Sequence, residues 1–252
     1  MSAFAGMLAL AFWLLPLGGA LAAVKCTPAA FRLVLDVGHT PESPGAISAR
    51  GVPEFEFNLR LAKRIERAMK ARGFANTVLF VTRGETQPGL AARVAKANDA
   101  KADLFLSIHH DSVPQALLAN WEFLGAEGRH NDQFKGHSLF VSAEHPHYAK
   151  SLAFARALGL ALKSRGLAYT PHYTEKIMGA RRRQLVDREA GVYRFDRLAV
   201  LIGTKMPAVL LEAGSIINRE EELAMESPER QASIADAAAD AVASFCTRGS
   251  RR

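Results

Sequence analysis

The sequence predicts an α/β fold: a mostly parallel twisted sheet with helices on both faces, in a single domain. Three observations carry this reading. Short apolar runs bounded by turn residues alternate with longer stretches of helical periodicity, the order that crossover connections and a parallel sheet require. The chain has 252 residues, enough to bury one large core. Its 49% hydrophobic and 23% charged positions are those of an ordinary globular protein, which excludes disordered, collagen-like and coiled-coil architectures.

In chain order, Phe31 to Gly38 (FRLVLDVG) is the first predicted strand. Glu54 to Arg72 follows as a helix: Leu59, Ala62, Ile65 and Met69 recur at helical spacing, Arg60, Lys63, Arg64, Arg67 and Lys70 cover the opposite side, and Gly73 ends it. Thr77 to Arg83 is a strand, Gly89 to Ala100 a helix, and Leu104 to His109 (LFLSIH) a strand. Ser138 to Ser142 and Pro207 to Ala213 (PAVLLEA) are further strands, with helices at His147 to Arg165 and about Pro228 to Phe245. Two stretches, Val113 to Gly136 and Gly166 to Leu198, fit the alternation poorly and are read as excursions over the active face, the first shaping or covering the cleft. The run Arg181-Arg182-Arg183 reads as a solvated surface.

Residues 1–22 read as a signal peptide, with an uncharged apolar run from Ala3 to Leu15 and small residues at Ala20 and Ala22 placing the cut after Ala22. The remainder, 23–252, is then the functional domain, and the protein is exported, periplasmic or extracellular. No Lys or Arg precedes the apolar run, so an uncleaved anchor is the alternative, and a membrane partner is expected only in that case. Lys25 before Cys26 argues against a lipoprotein site. The two cysteines, Cys26 and Cys246, stand near the two ends of an exported domain and are expected to form a terminal disulfide. A net charge of +7 suits an anionic partner such as a cell-wall polymer, a membrane surface or nucleic acid, and specifies none of them. No dense basic run with interleaved aromatics is present, so a nucleic-acid partner is not expected.

Polar residues interrupt the predicted strand ends where packing does not ask for them: His39 after LVLDVG, His109 after LFLSI, and Glu212 within AVLLEA. In parallel sheets the carboxyl ends of strands gather function, so all three should meet at one edge. Glu54, at the start of the first helix, completes a set of two imidazoles and two carboxylates. Two histidines and a carboxylate are a catalytic zinc ligand set with one open position. The remaining carboxylate, Glu212, would move protons between water and a leaving amine. Singly, His39 is more often a hydrogen-bonded loop histidine and Glu54 more often a helix N-terminal acid. Glu212 inside an apolar strand needs a partner, because an unpaired buried carboxylate costs several kcal/mol or is forced neutral. Asp36 could orient the His39 imidazole or serve as a strand-end turn cap. Neighbouring strand residues face opposite sides, so only one of His109 and His110 can face the metal, and spacing alone leaves the choice open. His130, His137, His145, His147 and His172 are expected at the surface or the substrate edge.

The ordered blocks LVLDVGHTPESPGA (Leu33 to Ala46), EFEFNLRLA (Glu54 to Ala62), LAARVAKANDAKADLFLSIHHDS (Leu90 to Ser112) and MPAVLLEAGSIINREEE (Met206 to Glu222) resemble the zinc-dependent N-acetylmuramoyl-L-alanine amidases of peptidoglycan. The resemblance implies zinc on His39, Glu54 and His109, and Glu212 as the catalytic carboxylate. It implies hydrolysis of the amide joining N-acetylmuramic acid to L-alanine, with peptidoglycan as substrate; the sequence does not specify a regulatory protein. Departures are Val37 where the family usually has proline, Thr40 for glycine, and His110-Asp111 for a small residue and asparagine. Division amidases of the family carry a self-blocking helix after the strand equivalent to SLFVS; here only a few residues separate Ser142 from the helix at His147, so that mode is not expected. The rival readings are a zinc deacetylase or peptidase acting on other wall amides, and a non-catalytic wall-binding module.

Overall fold

Apolar runs long enough to cross a sheet and buried on both sides form its centre: β1 (Leu33–Val37), β3 (Leu104–Asp111) and β9 (Ala208–Ser215). The computed structural model describes residues 26–249, and the predicted leader lies outside the described residues. With β2 (Thr77–Phe80), β6 (Ser138–Val141), β7 (Gln184–Asp187) and β8 (Val192–Arg194), these strands form one seven-stranded sheet in the order β2-β1-β3-β9-β6-β8-β7. The pairs β1·β2, β1·β3, β3·β9 and β6·β8 are parallel, and β6·β9 and β7·β8 antiparallel, so the mostly parallel sheet is borne out.

Alternation of side chains along each strand splits the core into two layers. Leu33, Leu35, Leu106 and Val209 face α1 (Glu54–Ala71), α3 (Tyr148–Lys163) and α6 (Pro228–Gly249). Val34, Phe105, Phe140 and Leu210 face α2 (Thr86–Asp99) and α4 (Ala199–Gly203). Helices therefore cover both faces, as expected. A short helix, α5 (Arg219–Glu226), follows β9 and is capped by the Asn218 side chain, which accepts from the Glu220 and Glu221 backbone N–H groups.

Several boundaries differ from the sequence reading. β3 continues to Asp111 and β9 to Ser215, because the polar residues there still pair across the sheet, Asp111 opposite Ser215 after a register shift beyond His109. α2 starts at Thr86, ahead of Gly89, since a proline in the first helical turn loses no hydrogen bond. The stretch Gly166 to Leu198 is only partly an excursion: it supplies β7 and β8, which extend the sheet edge, besides 3₁₀ turns at His172–Thr174 and Lys176–Arg181. Val113 to Gly136 holds a separate hairpin of β4 (Ala119–Phe123) and β5 (Ala126–His130). Its strands, ANWEF and AEGRH, are half exposed and carry too little apolar pattern to signal a strand.

Cys26 and Cys246 are joined as expected, across 220 positions and with Cα atoms 5.4 Å apart. The bridge ties the segment before β1 to the end of α6, where Phe245 packs edge-on against Phe31 and Phe154. Among the described residues, no helix is long and apolar enough to cross a membrane.

Candidate metal centre

Three chain segments bring His39, Glu54 and His109 together. His39 follows β1 in a left-handed turn with φ 66°. A non-glycine residue held there stores strain, which is found where a side chain must be aimed. Glu54 is the first, almost fully buried residue of α1, whose opening N–H groups are taken by loop carbonyls, Glu54 N–H by Ala46 and Phe55 N–H by Pro44. His109 lies near the end of β3. The Glu54 carboxylate stands between the rings, with Oε2 3.1 Å from His39 Nε2 and Oε1 3.1 Å from His109 Nδ1. The three ligand atoms all lie within 4.8 Å of one another. Burial pushes the Glu54 carboxyl up, but the two imidazoles outweigh it and hold it well below the usual carboxylate range.

Close backbone approach makes this convergence possible. A Cβ on Gly38 would sit 2.4 Å from the His109 ring, and one on Gly45 2.5 Å from Glu54 Oε2. The Ala46 N–H donates to Glu54 Oε2 and the His110 N–H to Oε1. Asn58, one turn along α1 from Glu54, donates to both Glu54 Oε1 and the Gly38 carbonyl.

Asp36 takes neither of its expected roles. It is fully buried, accepts from Ser107 Oγ at 2.7 Å, and faces Arg93 Nη1 at 3.6 Å. Arg93 in turn donates to the His39 carbonyl. Asp36 therefore acts on His39 through a buried arginine that grips its backbone, and its own carboxyl is raised by burial against the pull of Arg93. Of the paired histidines, His109 faces the cluster while His110 is buried against α1, with Nδ1 2.8 Å from Asn58 Oδ1. Burial pushes the His110 imidazole down to about 3, so that ring is neutral.

Glu212 lies directly across from His109 in the parallel pairing of β3 with β9, so the fold brings it to the same edge. Its Oε2 is shielded from solvent and has no hydrogen-bond partner among the described residues. Burial, then the nearby Asp111 and Glu54 carboxylates, hold the Glu212 carboxyl well above the usual range, against the opposing pull of Arg181. Asp111 accepts from Tyr173 Oη at 2.7 Å and lies 3.5 Å from His172 Nε2.

The residues fit a zinc-type ion. Ligands around a tetrahedral ion at about 2.0–2.1 Å are separated by about 3.4 Å, close to the contacts made by the central carboxylate. Two nitrogens and one oxygen leave a fourth position, and Glu212 supplies the orphaned acidic oxygen beside the set.

The sequence missed Arg93, Asn58 and Tyr173. Arg93 and Asn58 occupy ordinary helical positions, and Tyr173 a 3₁₀ turn, so only the tertiary fold reveals their partners. The expectation for the outlying histidines also needs correction: His137, His145 and His172 are buried, the last two held by Thr204 O and Thr170 Oγ1. They sit in the excursions and turns that the alternation of strands and helices did not resolve. Residues 142–147, between β6 and α3, hold turns and no blocking helix.

Residues 33–244, nearly the whole described fold with all four site residues, match the Amidase_3 family, described as N-acetylmuramoyl-L-alanine amidase. The amidase AmiC of Escherichia coli O6:H1 is 27% identical over 230 residues, covering 81% of this chain and 50% of that protein. AmiA of E. coli K12 is 27% identical over 228 residues, covering 84% and 75%. Among solved structures, Ami1 of Mycobacterium smegmatis shares the fold with a TM-score of 0.65 at 22% identity, over 87% of this chain and 98% of that one. The catalytic domain of CwlV from Bacillus (Paenibacillus) polymyxa gives a TM-score of 0.61 at 25% identity, over 85% and 97%. The chain spans half or less of the length of the first curated relatives it matches. A match that runs from β1 into α6 places the His39, Glu54 and His109 cluster within a shared scaffold, and the chain belongs to the Amidase_3 family of N-acetylmuramoyl-L-alanine amidases.

Proposed function

We propose that this protein hydrolyses the amide between the lactyl group of N-acetylmuramic acid and L-alanine in peptidoglycan, with zinc held by His39, Glu54 and His109 and with Glu212 as the catalytic carboxylate. The observation that carries the reading is the position of Glu212, register partner of His109, with one oxygen unpartnered at the edge of the ligand cluster. When bound, a zinc ion would supply Lewis acidity to the scissile carbonyl and to water. Glu212 accepts a proton from the attacking water as its oxygen adds to the carbonyl carbon. It returns that proton to the alanine nitrogen as the C–N bond breaks, leaving a lactyl carboxylate and a free amine. Asn58 and Arg93 fix the ligand-bearing backbone through Gly38 and His39.

The Cys26–Cys246 bridge supports an oxidising, exported location, where the polymer is found. Residues 23–252 act as one catalytic domain in this reading, and the net charge of +7 suits an anionic wall. The test combines metal analysis of the purified protein with mass spectrometry of digested sacculi. Wild type binds about one zinc and releases stems with a free N-terminal L-alanine, whereas Glu212→Gln keeps zinc and loses about a hundredfold or more in turnover. Release of acetate or of internal peptide fragments would instead support a deacetylase or peptidase, and equal activity of the Gln variant would overturn the role of Glu212.

A further inference from the structure

The three consecutive arginines do not behave alike. Arg182 donates to the Thr174 carbonyl, and Arg183 donates to the Ala180 and Arg182 carbonyls with its guanidinium 3.7 Å above the Phe195 ring. Both are folded back onto their own neighbourhood. Arg181 reaches away from it, donating through Nη2 to the Ser112 carbonyl at 2.8 Å, just past the end of β3. Gly179, two residues before Arg181, accompanies this departure: its φ of 52° and ψ of −123° interrupt the 3₁₀ turn.

Arg181 is a cation set beside two buried carboxyls, Asp111 and Glu212. The Ser112 carbonyl is its one hydrogen-bond acceptor among the described residues. Asp111 is 3.8 Å away, beyond hydrogen-bond reach, and Oδ1 is already taken by Tyr173 Oη and the Ser112 N–H. The side chain is 41% exposed, and the guanidinium bears electrostatically on Glu212. A planar fork with most donors free, set beside carboxyls and partly exposed, can receive a carboxylate from outside.

Position along the sheet indicates which one. Ser112 lies three residues beyond His109, about 10 Å along the strand at 3.3 Å per residue. An extended peptide advances about 3.3–3.6 Å per residue, so a stem that has its first amide at the metal ligands and runs along β3 reaches Arg181 within its first three residues. Resting on the amidase reading above, we propose that Arg181 is a specificity-determining residue that binds a carboxylate in the first three residues of the peptide stem. Stems with that carboxylate free are the preferred substrates, and stems with it converted to carboxamide are disfavoured.

The experiment compares two soluble muramoyl tripeptides, one with all side and α carboxyls free and one with them amidated, using the zinc-loaded full chain. Wild type prefers the acidic stem by about tenfold in kcat/KM, the scale of one charge-assisted hydrogen-bonded contact, and the difference lies in KM. Arg181→Ala collapses the ratio to less than about twofold, while Arg181→Lys restores part of it. Thermal melts of both variants report whether the fold is intact. A ratio in Arg181→Ala equal to that of wild type overturns the proposal, as does an equal loss on both stems, which would mean a purely structural arginine. Wild type cleaving neither stem at the lactyl amide would instead overturn the amidase reading itself.

Discussion

Gly38→Ala isolates the geometry of the metal centre from the stability of the fold. Gly38 does not occupy the left-handed region, so alanine introduces no backbone strain there. The added Cβ meets the His109 ring at 2.4 Å, whereas ordinary contact begins at 3.4 Å. The ring must therefore retreat by about 1 Å, while metal–ligand distances tolerate only about 0.2 Å. The His109 side chain is 15% exposed and its ring meets His39 and Glu54, so the clash falls on the ligand geometry. A loss of about 10–100-fold in zinc affinity is expected, about 1.4–2.8 kcal/mol. Competition against a chromogenic chelator measures it, with a melt of the metal-free protein as control. Gly45→Ala makes the contrasting case: its Cβ meets Glu54 Oε2 at 2.5 Å, and its φ of 83° adds strain of roughly 1 kcal/mol, so metal-free stability falls as well. If Gly38→Ala binds zinc as tightly as wild type, the inference from backbone approach to ligand placement is wrong.

The disulfide closes a loop of 220 positions, for which chain entropy gives an upper value of about 5 kcal/mol; Cys26→Ser/Cys246→Ser should melt well below the oxidised wild type, and coincident melts would remove that role. Arg93→Met leaves the fully buried Asp36 without its cation and should cost about 3 kcal/mol or more in urea unfolding, with Asp36→Asn/Arg93→Met recovering part of the loss. Burial pushes the His137 imidazole down to about 4, below its unfolded value of about 6.5. The unfolded chain then binds the proton first, so this contribution is complete above about pH 6.5 and falls by about 3 kcal/mol as pH drops towards 4. His137→Leu should flatten that part of the stability–pH profile measured by denaturant titration, and an unchanged slope would show that the ring is not buried neutral.

The candidate site residues are legible because they violate the pattern around them. His39, His109 and Glu212 interrupt apolar strands, and the rule that sheet function gathers at strand carboxyl ends brought them to one edge before any coordinates. Register explains why this succeeded: His109 and Glu212 are direct partners across β3 and β9. The choice between His109 and His110 was not available from spacing, since the alternation forbids both and favours neither. The supporting residues were hidden for the opposite reason. Arg93 sits 54 positions from His39 in a helix of unremarkable composition, and Asn58 is one polar residue on an amphipathic helix, so neither breaks a local rule. The hairpin and β7–β8 escaped notice because short, half-exposed strands carry little apolar periodicity.

The polar departures from the family pattern, Thr40, His110 and Asp111, each have a partner elsewhere in this chain. Thr40 donates to the Gly84 carbonyl and accepts from the Ser43 N–H, closing the turn that follows His39. His110 meets Asn58, which also holds Glu54, and Asp111 meets Tyr173. These contacts matter because one ligand precedes and another follows the loop 40–53, whose shape therefore fixes their separation. That loop is stapled by the Ala49 N–H to the Ile216 carbonyl, by Arg50 to Glu222 at 2.6 Å, and by Trp121 Nε1 to the Ala49 carbonyl at 2.8 Å. Trp121 belongs to the hairpin, with the Arg50 guanidinium 5.4 Å from its ring centroid. The excursion expected to shape the cleft thus acts on it by bracing the segment between His39 and Glu54. A ligand set drawn from three distant segments holds a geometry within a few tenths of an ångström only if such bracing removes the freedom of the loop in advance.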